Sequence, residues 1–249
     1  QRQMCIRDSH RNYVDRGKIL GDLYFNYLVD NKTYSVKVSD LQSEILENTA
    51  GKIQIFWQLP AGVRLYQTFA VSGEEIEWDI EFFNRSRHAV NILDMCLTVP
   101  IGAIDESVQA CQNLNRHFSL NGNSSFLYWI PYTGQGDILL MSMKKGTAME
   151  YATWDGKYYL HATNVVDRAN DTWRIPSTSK TVAPYQRYLT GFNFTVAKDH
   201  TDLRGKLYDK GNVLVKVAPG MVVTPEMEVY CALQTQLPVE QLTVEHPGQ

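Results

Sequence analysis

The feature that most constrains the fold of this chain is an alternation of apolar and polar residues with a period of two. The clearest example runs from Glu75 to Phe82, where Ile, Trp, Ile and Phe alternate with four acidic residues. Successive side chains of a strand point to opposite faces of a sheet, so the pattern predicts an antiparallel strand with one buried and one wet face. Because such segments recur along almost the whole chain, sheets are expected to pack against sheets.

Other segments show the same alternation or a short apolar run, with turn residues between them. The strand candidates are Leu23–Tyr27, Tyr34–Val38, Ile53–Trp57, Val90–Val99, Phe126–Ile130, Ile138–Met143, Thr147–Thr153, Tyr158–Thr163, Leu189–Ala197, Val213–Ala218 and Glu226–Leu233. Phe126–Ile130 and Ile138–Met143 flank the turn-forming sequence Thr133-Gly134-Gln135-Gly136. This arrangement predicts a β-hairpin.

A single short helix is expected, from Asp202 to Lys210, with Thr201 or Asp202 as its N-cap and Gly211 just past its end. Many strands with almost no helix predict an all-β fold, a large two-sheet antiparallel β-sandwich from about Lys18 to Leu237. The 249 residues, 44% of them hydrophobic, are enough to bury its core without disulfides.

Charge and cysteine content narrow the expected partners. The net charge is -3 and the lysines and arginines are scattered, so neither nucleic acid nor a membrane is expected as a partner. Cys96, Cys111 and Cys231 lack the paired spacing of a zinc site, so no metal and no cofactor is expected. The cysteines are expected to be reduced, with a Cys96 to Cys111 disulfide as the alternative for an exported protein.

The row of acids at Glu75, Glu77, Asp79 and Glu81 invites comparison with the paired carboxylates of glycosidases. Residues two apart on a strand lie about 6 to 7 Å apart, which is within the range of such pairs. A catalytic acid, however, needs a desolvated niche. Strict alternation with core residues is typical of a solvated strand face, so we predict that this row is structural.

Two histidines adjoin aromatic-rich strands, His117 and His161. A mutarotase-like epimerase would pair a histidine with a carboxylate such as Glu150 to open a sugar ring by acid and base catalysis. Nothing in the spacing singles these residues out. A satisfied structural histidine is the expected role, and epimerase chemistry is an alternative.

Carbohydrate sites combine aromatic platforms with amide, hydroxyl and guanidinium donors, because a pyranose has one apolar face and a rim of hydroxyls. Two groups of residues have this mixture. The first is Arg116, His117, Asn121, Asn123, Trp129 and Tyr132, and the second is Trp154, Tyr158, Trp173 and Arg174. Core or interdomain packing is the alternative for the tryptophans. The polar loop 113–125 is the sharper candidate, expected at one end of the sandwich and facing a glycan or a neighbouring domain.

Several segments carry a resemblance to a known family. They are Asn115–Tyr151, Asn84-Arg85-Ser86, Thr172-Trp173-Arg174 and Val217-Ala218-Pro219-Gly220-Met221. They resemble an uncharacterised bacterial family whose full-length members look like six-hairpin glycosidases, in which a β-sandwich precedes an (α/α)6 helical toroid. The likeness runs from about Leu20 to Leu237. It implies a galactose-mutarotase-like supersandwich, with any hydrolytic carboxylates in a helical domain that is absent from this chain.

Both ends of the chain predict a fragment. Gln1–Ser9 resembles a translated sequencing adapter of the kind fused to metagenomic reading frames. Residues 1–9 are therefore expected to be a non-native tail, 10–237 the sandwich domain, and 238–249 the start of a linker to a helical domain.

The expected function is that of the N-terminal β-sandwich of a glycoside-hydrolase-like, carbohydrate-active protein, periplasmic or secreted. It would support a catalytic helical domain in cis, lend a loop to its cleft and contact an oligo- or polysaccharide. On its own it is expected to lack glycosidase activity. A stand-alone carbohydrate-binding module and a mutarotase-like epimerase are the alternatives.

Overall fold

The computed structural model describes residues 14–15, 18–102, 113–153, 156–168, 178–220, 222–241 and 243, so the expected tail 1–9 lies outside the described residues. In these residues the strands are β1 (Leu23–Val29), β2 (Lys32–Lys37), β3 (Ser43–Asn48), β4 (Lys52–Leu59), β5 (Val63–Ser72), β6 (Glu75–Asn84), β7 (Val90–Thr98), β8 (Leu114–Ser119), β9 (Phe126–Pro131), β10 (Ile138–Met143), β11 (Tyr151–Ala152), β12 (Lys157–Ala162), β13 (Lys180–Val182), β14 (Arg187–Ala197), β15 (Leu214–Ala218) and β16 (Tyr230–Gln234). The helices are α1 (Thr163–Arg168) and α2 (His200–Asp209). Short 3-10 turns cover Val38–Asp40 and Pro60–Gly62.

Two large antiparallel sheets form the sandwich, which confirms the expected fold class. The eight-stranded sheet has the order β3-β4-β5-β6-β14-β10-β9-β8. The six-stranded sheet has the order β11-β12-β7-β1-β2, with β13 also paired to β7. β15 and β16 pair with each other as a separate hairpin. The predicted hairpin is present, because β9 pairs with β10.

The core lies between the two sheets. On β6, Trp78, Ile80 and Phe82 are fully buried, while the acids between them are partly exposed on the outer face. The ring of Phe82 lies 5.7 Å from that of Phe25 and 5.9 Å from that of Tyr27, both on β1 of the six-stranded sheet. The alternation read from the sequence therefore separates the core face from the outer face.

β10 does not alternate because it is buried on both faces. Leu139 and Met141 belong to the core between the sheets, whereas Ile138 and Leu140 pack in a second cluster with residues of α2. A strand covered by a sheet on one side and by a helix on the other is expected to be apolar throughout.

The N-cap predicted for the helix is wrong. α2 begins at His200, and its N-cap is Asp199, whose carboxylate accepts hydrogen bonds from the backbone N–H groups of Thr201 and Asp202, both at 2.8 Å. Thr201 and Asp202 are therefore donors to the cap. Gly211 follows the helix with a φ of 80°, as a residue past a helix end often does.

Several other boundaries also differ from the prediction. Helix α1 follows β12 directly, where a strand was expected up to Thr163. Within the predicted strand Thr147–Thr153, only Tyr151–Ala152 is a strand, and Thr147 instead accepts the N–H of Gly191 through its hydroxyl. The last strand begins at Tyr230 rather than Glu226. Among the described residues, no helix is long and apolar enough to cross a membrane.

Candidate functional site

A cleft of about 670 Å³ opens at the end of the sandwich where β1 and β8 begin and β7 ends. This volume is within the range of small-molecule sites. The residues that give it its chemistry are Asp15, Lys18, Asp22, Tyr24, Lys37, Arg116 and Gly156. We call it the end cleft.

Buried Gln67 fixes the backbone at Gly21, next to the cleft residue Asp22. Its amide nitrogen donates a hydrogen bond to the carbonyl of Gly21 at 2.8 Å, and its oxygen accepts the indole N–H of Trp78 at 3.0 Å. Gly21 has a φ of 94°, and a Cβ there would lie 2.6 Å from the Gln67 amide oxygen. The close approach of this glycine lets the chain enter β1 beside the eight-stranded sheet, which brings Asp22 and Tyr24 to the cleft.

Trp129 fixes the backbone of a second part of the cleft wall, at Ile101 and Gly102. It is fully buried, and its indole N–H donates to the carbonyl of Ile101 at 3.0 Å. A Cβ at Gly102 would lie 3.0 Å from its ring. The expectation that Trp129 faces a sugar is therefore wrong, because strand alternation turns its ring into the core. Its role is to position the backbone of the cleft wall.

Arg116 is the sequence-predicted site residue that lines the end cleft. Its guanidinium carbon lies 5.7 Å from the ring centroid of Tyr158. Gly156 makes room for the guanidinium, since a Cβ there would lie 2.8 Å from Nη1 of Arg116. Burial raises the pKa of Tyr158, and the nearby Arg116 charge opposes that rise. Tyr158 belonged to the second predicted group, so residues of both groups meet here.

Asp22 and Lys37 form an ion pair at the rim of the cleft. Oδ1 of Asp22 accepts the backbone N–H of Ser39 at 3.1 Å, and Oδ2 lies 3.7 Å from Nζ of Lys37. The same ammonium lies 5.6 Å from the ring centroid of Tyr24. The Asp22 carboxylate raises the pKa of Lys37. These contacts place an aromatic ring, a cation and an anion side by side.

The remaining residues of the first predicted group do not join Arg116. Leu114–Ser119, the first half of the segment expected as a loop, is strand β8, in which Arg116 pairs with Trp129 and His117 with Tyr128. Neighbours on a strand face opposite sides, so His117 lies on the other face, with its ring stacked 4.7 Å from that of Tyr128. A shared site for Arg116 and His117 is therefore wrong.

The other predicted residues are dispersed. Asn121 and Asn123 are exposed in the turn between β8 and β9, at the opposite end of these strands from the cleft. Tyr132 follows β9 at the cleft end and is 56% exposed, but it does not line the cleft. Trp154, Trp173 and Arg174 lie outside the described residues.

The histidine and carboxylate considered for epimerase chemistry are linked through one hydroxyl. Nδ1 of His161 lies 3.1 Å from Oγ1 of Thr178, and Nε2 lies 3.0 Å from the hydroxyl of Tyr188. The backbone N–H of Thr178 donates to Glu150 at 2.9 Å, and its hydroxyl donates to the other carboxylate oxygen. His161 is on β12 and Tyr188 is on β14, so these hydrogen bonds connect the two sheets. We call the group of Glu150, His161, Thr178 and Tyr188 the clasp.

The clasp has the properties of a structural element. His161 is 8% exposed and both of its ring nitrogens have hydroxyl partners. Burial lowers the pKa of His161 to about 4, and burial raises the pKa of Glu150. An enclosed imidazole with both nitrogens occupied favours the satisfied structural role predicted for it over epimerase chemistry.

Every acid of the outer row on β6 is paired with a cation. The pairs are Glu75 with Lys210, Glu77 and Asp79 with Lys144, and Glu81 with Arg187. The hydrogen bond from Lys144 lowers the pKa of Glu77, which is the opposite of what a general acid requires. The geometry thus supports the structural interpretation of this row, although ion pairs rather than water alone satisfy it.

In the part of the chain that the structure describes, no group of three or more His, Cys, Asp or Glu residues is arranged to hold a metal ion. Cys96 is buried, and Cys111 lies outside the described residues, so the alternative bridge between them stays a prediction.

Comparison with solved structures identifies the fold. A polysaccharide lyase matches 80% of this chain with a TM-score of 0.60 at 15% identity, and the match covers 29% of the lyase. A variant of the GH36 α-galactosidase AgaA from Geobacillus stearothermophilus matches 74% of the chain and 31% of its own length, with a TM-score of 0.40 at 11% identity. AgaB from the same organism matches 76% and covers 32%, with a TM-score of 0.42 at 10% identity. No family model and no curated protein matches.

The chain therefore shares its large antiparallel sandwich fold with that polysaccharide lyase. It spans less than a third of the length of that lyase, of which 29% is covered.

Proposed function

We propose that this chain is the β-sandwich domain of a carbohydrate-active enzyme and that its end cleft provides a sugar-binding surface. The observation that carries the proposal is the composition of the cleft, where the ring of Tyr24 lies beside Lys37, and Arg116 lies over Tyr158. Tyr158 is buried and packs beneath Arg116, so the half-buried ring of Tyr24 is the platform for the apolar face of a pyranose. Lys37 and Arg116 are the donors to its hydroxyls. The fold likeness to a polysaccharide lyase supports the same class of function.

The bond-breaking step is proposed to occur in another domain of the full protein, a helical toroid in cis, as the resemblance of the sequence implies. In the described residues, the acids of β6 are ion-paired and His161 is enclosed in the clasp. These groups are already bonded to other side chains of the chain. The end cleft, in contrast, is open and is formed where several strands of the sandwich end.

Binding to a panel of soluble polysaccharides, measured by affinity electrophoresis of the whole 249-residue chain, tests this function. Tyr24→Ala removes the ring at the cleft and is expected to weaken binding about tenfold, because an aromatic platform loses both stacking and buried area. Tyr66→Ala is the matched control, since Tyr66 is a half-buried tyrosine on the outer face of β5. It is expected to bind as the parent does.

Two results would contradict the proposal. If the chain binds no polysaccharide, the carbohydrate function of this domain is rejected. If Tyr66→Ala abolishes binding while Tyr24→Ala does not, a sugar binds on the sheet face and the end cleft is the wrong site.

A further inference from the structure

We infer that the end cleft selects an acidic saccharide, one that carries a carboxylate, and that Arg116 binds this carboxylate. The inference rests on the proposed sugar-binding function and gives the chemical class of the ligand.

The described residues of the end cleft carry a charge opposite in sign to that of the molecule. The chain as a whole has a net charge of -3, yet among the described residues the cleft is lined by three cations, Lys18, Lys37 and Arg116, and by two carboxylates, Asp15 and Asp22. Asp22 and Lys37 offset one another at 3.7 Å. Lys18 and Arg116 then outweigh Asp15, and a concave surface concentrates the resulting positive potential.

The position of Arg116 suits a carboxylate ligand. A guanidinium is planar and presents its N–H donors as a fork that matches the two oxygens of a carboxylate. Here the guanidinium carbon lies 5.7 Å from the ring centroid of Tyr158. A cation-π contact of this kind positions a guanidinium without using its N–H donors as hydrogen-bond partners.

Gly156 leaves the space that the Arg116 guanidinium occupies. A Cβ at this position would lie 2.8 Å from Nη1 and 3.5 Å from Nη2 of Arg116. Its φ of 84° is in the left-handed region that glycine adopts at no steric cost. Both the backbone conformation and the missing side chain therefore favour Arg116 in its observed place, which makes Gly156 a positioning residue.

Isothermal titration calorimetry with the whole chain tests the inference. The probes are tetrasaccharides of glucuronate, galacturonate and mannuronate, each compared with its own carboxyl-reduced neutral form. At least one acidic tetrasaccharide is expected to bind about tenfold tighter than its neutral form, as a charge-assisted hydrogen bond allows. This preference is expected to shrink between about 50 and about 500 mM NaCl, because salt screens partly exposed charges.

Arg116→Met is expected to remove the preference for the acidic form. Arg64→Met is the matched control, because the Arg64 guanidinium also lies over a ring, 5.5 Å from the centroid of Phe56, but on the outer face of the eight-stranded sheet. It is expected to keep the preference. Gly156→Ala, which places a methyl group against the guanidinium, is expected to reduce it while leaving the charge count unchanged.

The outcomes separate this inference from the proposed function. If the acidic and neutral forms bind equally, or if only neutral saccharides bind, the acidic ligand is rejected and the sugar-binding function stands. If Arg116→Met keeps the preference, or if Arg64→Met loses it equally, Arg116 is not the anchor. If no saccharide of either panel binds, the proposed function fails and this inference fails with it.

Discussion

Two buried amide side chains, those of Gln67 and Asn84, form hydrogen bonds at the two ends of the sandwich. Gln67 joins Gly21 to Trp78 at the cleft end. At the opposite end the amide of Asn84 donates to the carbonyls of Val182, Ala183 and His88, and its oxygen accepts the backbone N–H and the hydroxyl of Ser86. A buried polar group without partners costs about 1 to 3 kcal/mol. The Asn84-Arg85-Ser86 sequence therefore closes a structural turn.

His161 is expected to make the protein less stable as the pH falls from 6.5 towards 4, because burial lowers its pKa from 6.5 to about 4 in the folded state. Above this window the imidazole is neutral in both states. Within this window, His161 is protonated in the unfolded chain but stays neutral in the folded protein, so proton binding favours unfolding. The loss amounts to roughly 2 kcal/mol at about pH 5.

Urea denaturation of the parent and of His161→Gln at about pH 7.5 and about pH 5 measures this effect. The variant loses hydrogen bonds at both pH values, so the informative quantity is the change in unfolding free energy between them. The raised pKa of Glu150 acts in the opposite direction in both proteins, and the comparison cancels it to first order. An equal pH dependence in parent and variant would contradict the assignment to His161.

Helix α2 shows how an element is fixed by both its ends and its neighbours. Leu203 and Leu207 are buried and pack with Ile138 and Leu140 of β10 on the outer face of the eight-stranded sheet. The carboxylate of Asp199 supplies the cap at the N-terminus. A helix of this length is marginal alone, so its stability depends on this apolar contact and on the cap.

Replacing the cap by Asp199→Ala is expected to lower the unfolding free energy by about 1 kcal/mol, because two backbone N–H groups lose their acceptor. Asp199→Asn keeps an acceptor and is expected to cost less. Asp209→Ala is the control at the other end of α2, where removing a negative charge is expected to be neutral or slightly stabilising. Thermal unfolding followed by circular dichroism measures all three. A larger loss for Asp209→Ala than for Asp199→Ala would show that the cap is misassigned.

At the scale of the whole molecule, both large sheets share the main core, which lies between them. Phe82 of β6 contacts Phe25 and Tyr27 of β1 across the sandwich. Its neighbour Phe83 points to the outer face, where the guanidinium of Arg187 lies 4.2 Å from its ring centroid. Adjacent phenylalanines therefore have different roles.

Phe82→Ala is expected to cost roughly 3 to 5 kcal/mol, because it leaves a cavity where the sheets meet. Phe83→Ala is expected to cost about 1 kcal/mol, since its ring is partly solvated and loses mainly a cation-π contact. Urea unfolding followed in both the near and far ultraviolet would give the two values. Similar losses in the two variants would mean that the sheets do not share the core as described.

Local patterns in the sequence were sufficient for the fold class and for most strands. The alternation from Glu75 to Phe82 predicted both a strand and its buried face, and the apolar run Ile138–Met143 matches β10 residue for residue. These properties repeat every two residues and so are visible without knowing any partner. The cap at Asp199 was missed because Asp199, Thr201 and Asp202 are all acceptable caps, and only the backbone conformation distinguishes them.

Of the candidate site, the sequence predicted Arg116 and the ring of Tyr158 on which it packs. It showed that the segments of β8 and β9 carry side chains typical of sugar-binding sites, but not that β8 is a strand, which separates Arg116 from His117. The face of β9 that carries Trp129 is buried in the core.

Tertiary structure alone decided the contacts between distant residues. Lys144 donates a hydrogen bond to Glu77, which is 67 positions away in the sequence, and Asn84 donates one to Val182, which is 98 positions away. His161 reaches Tyr188 from 27 positions away, on the opposite sheet. Periodicity fixes which face of its own strand a side chain occupies, but the side chain that it meets depends on which strands lie side by side and in which register. That choice is made by the packing of the whole core.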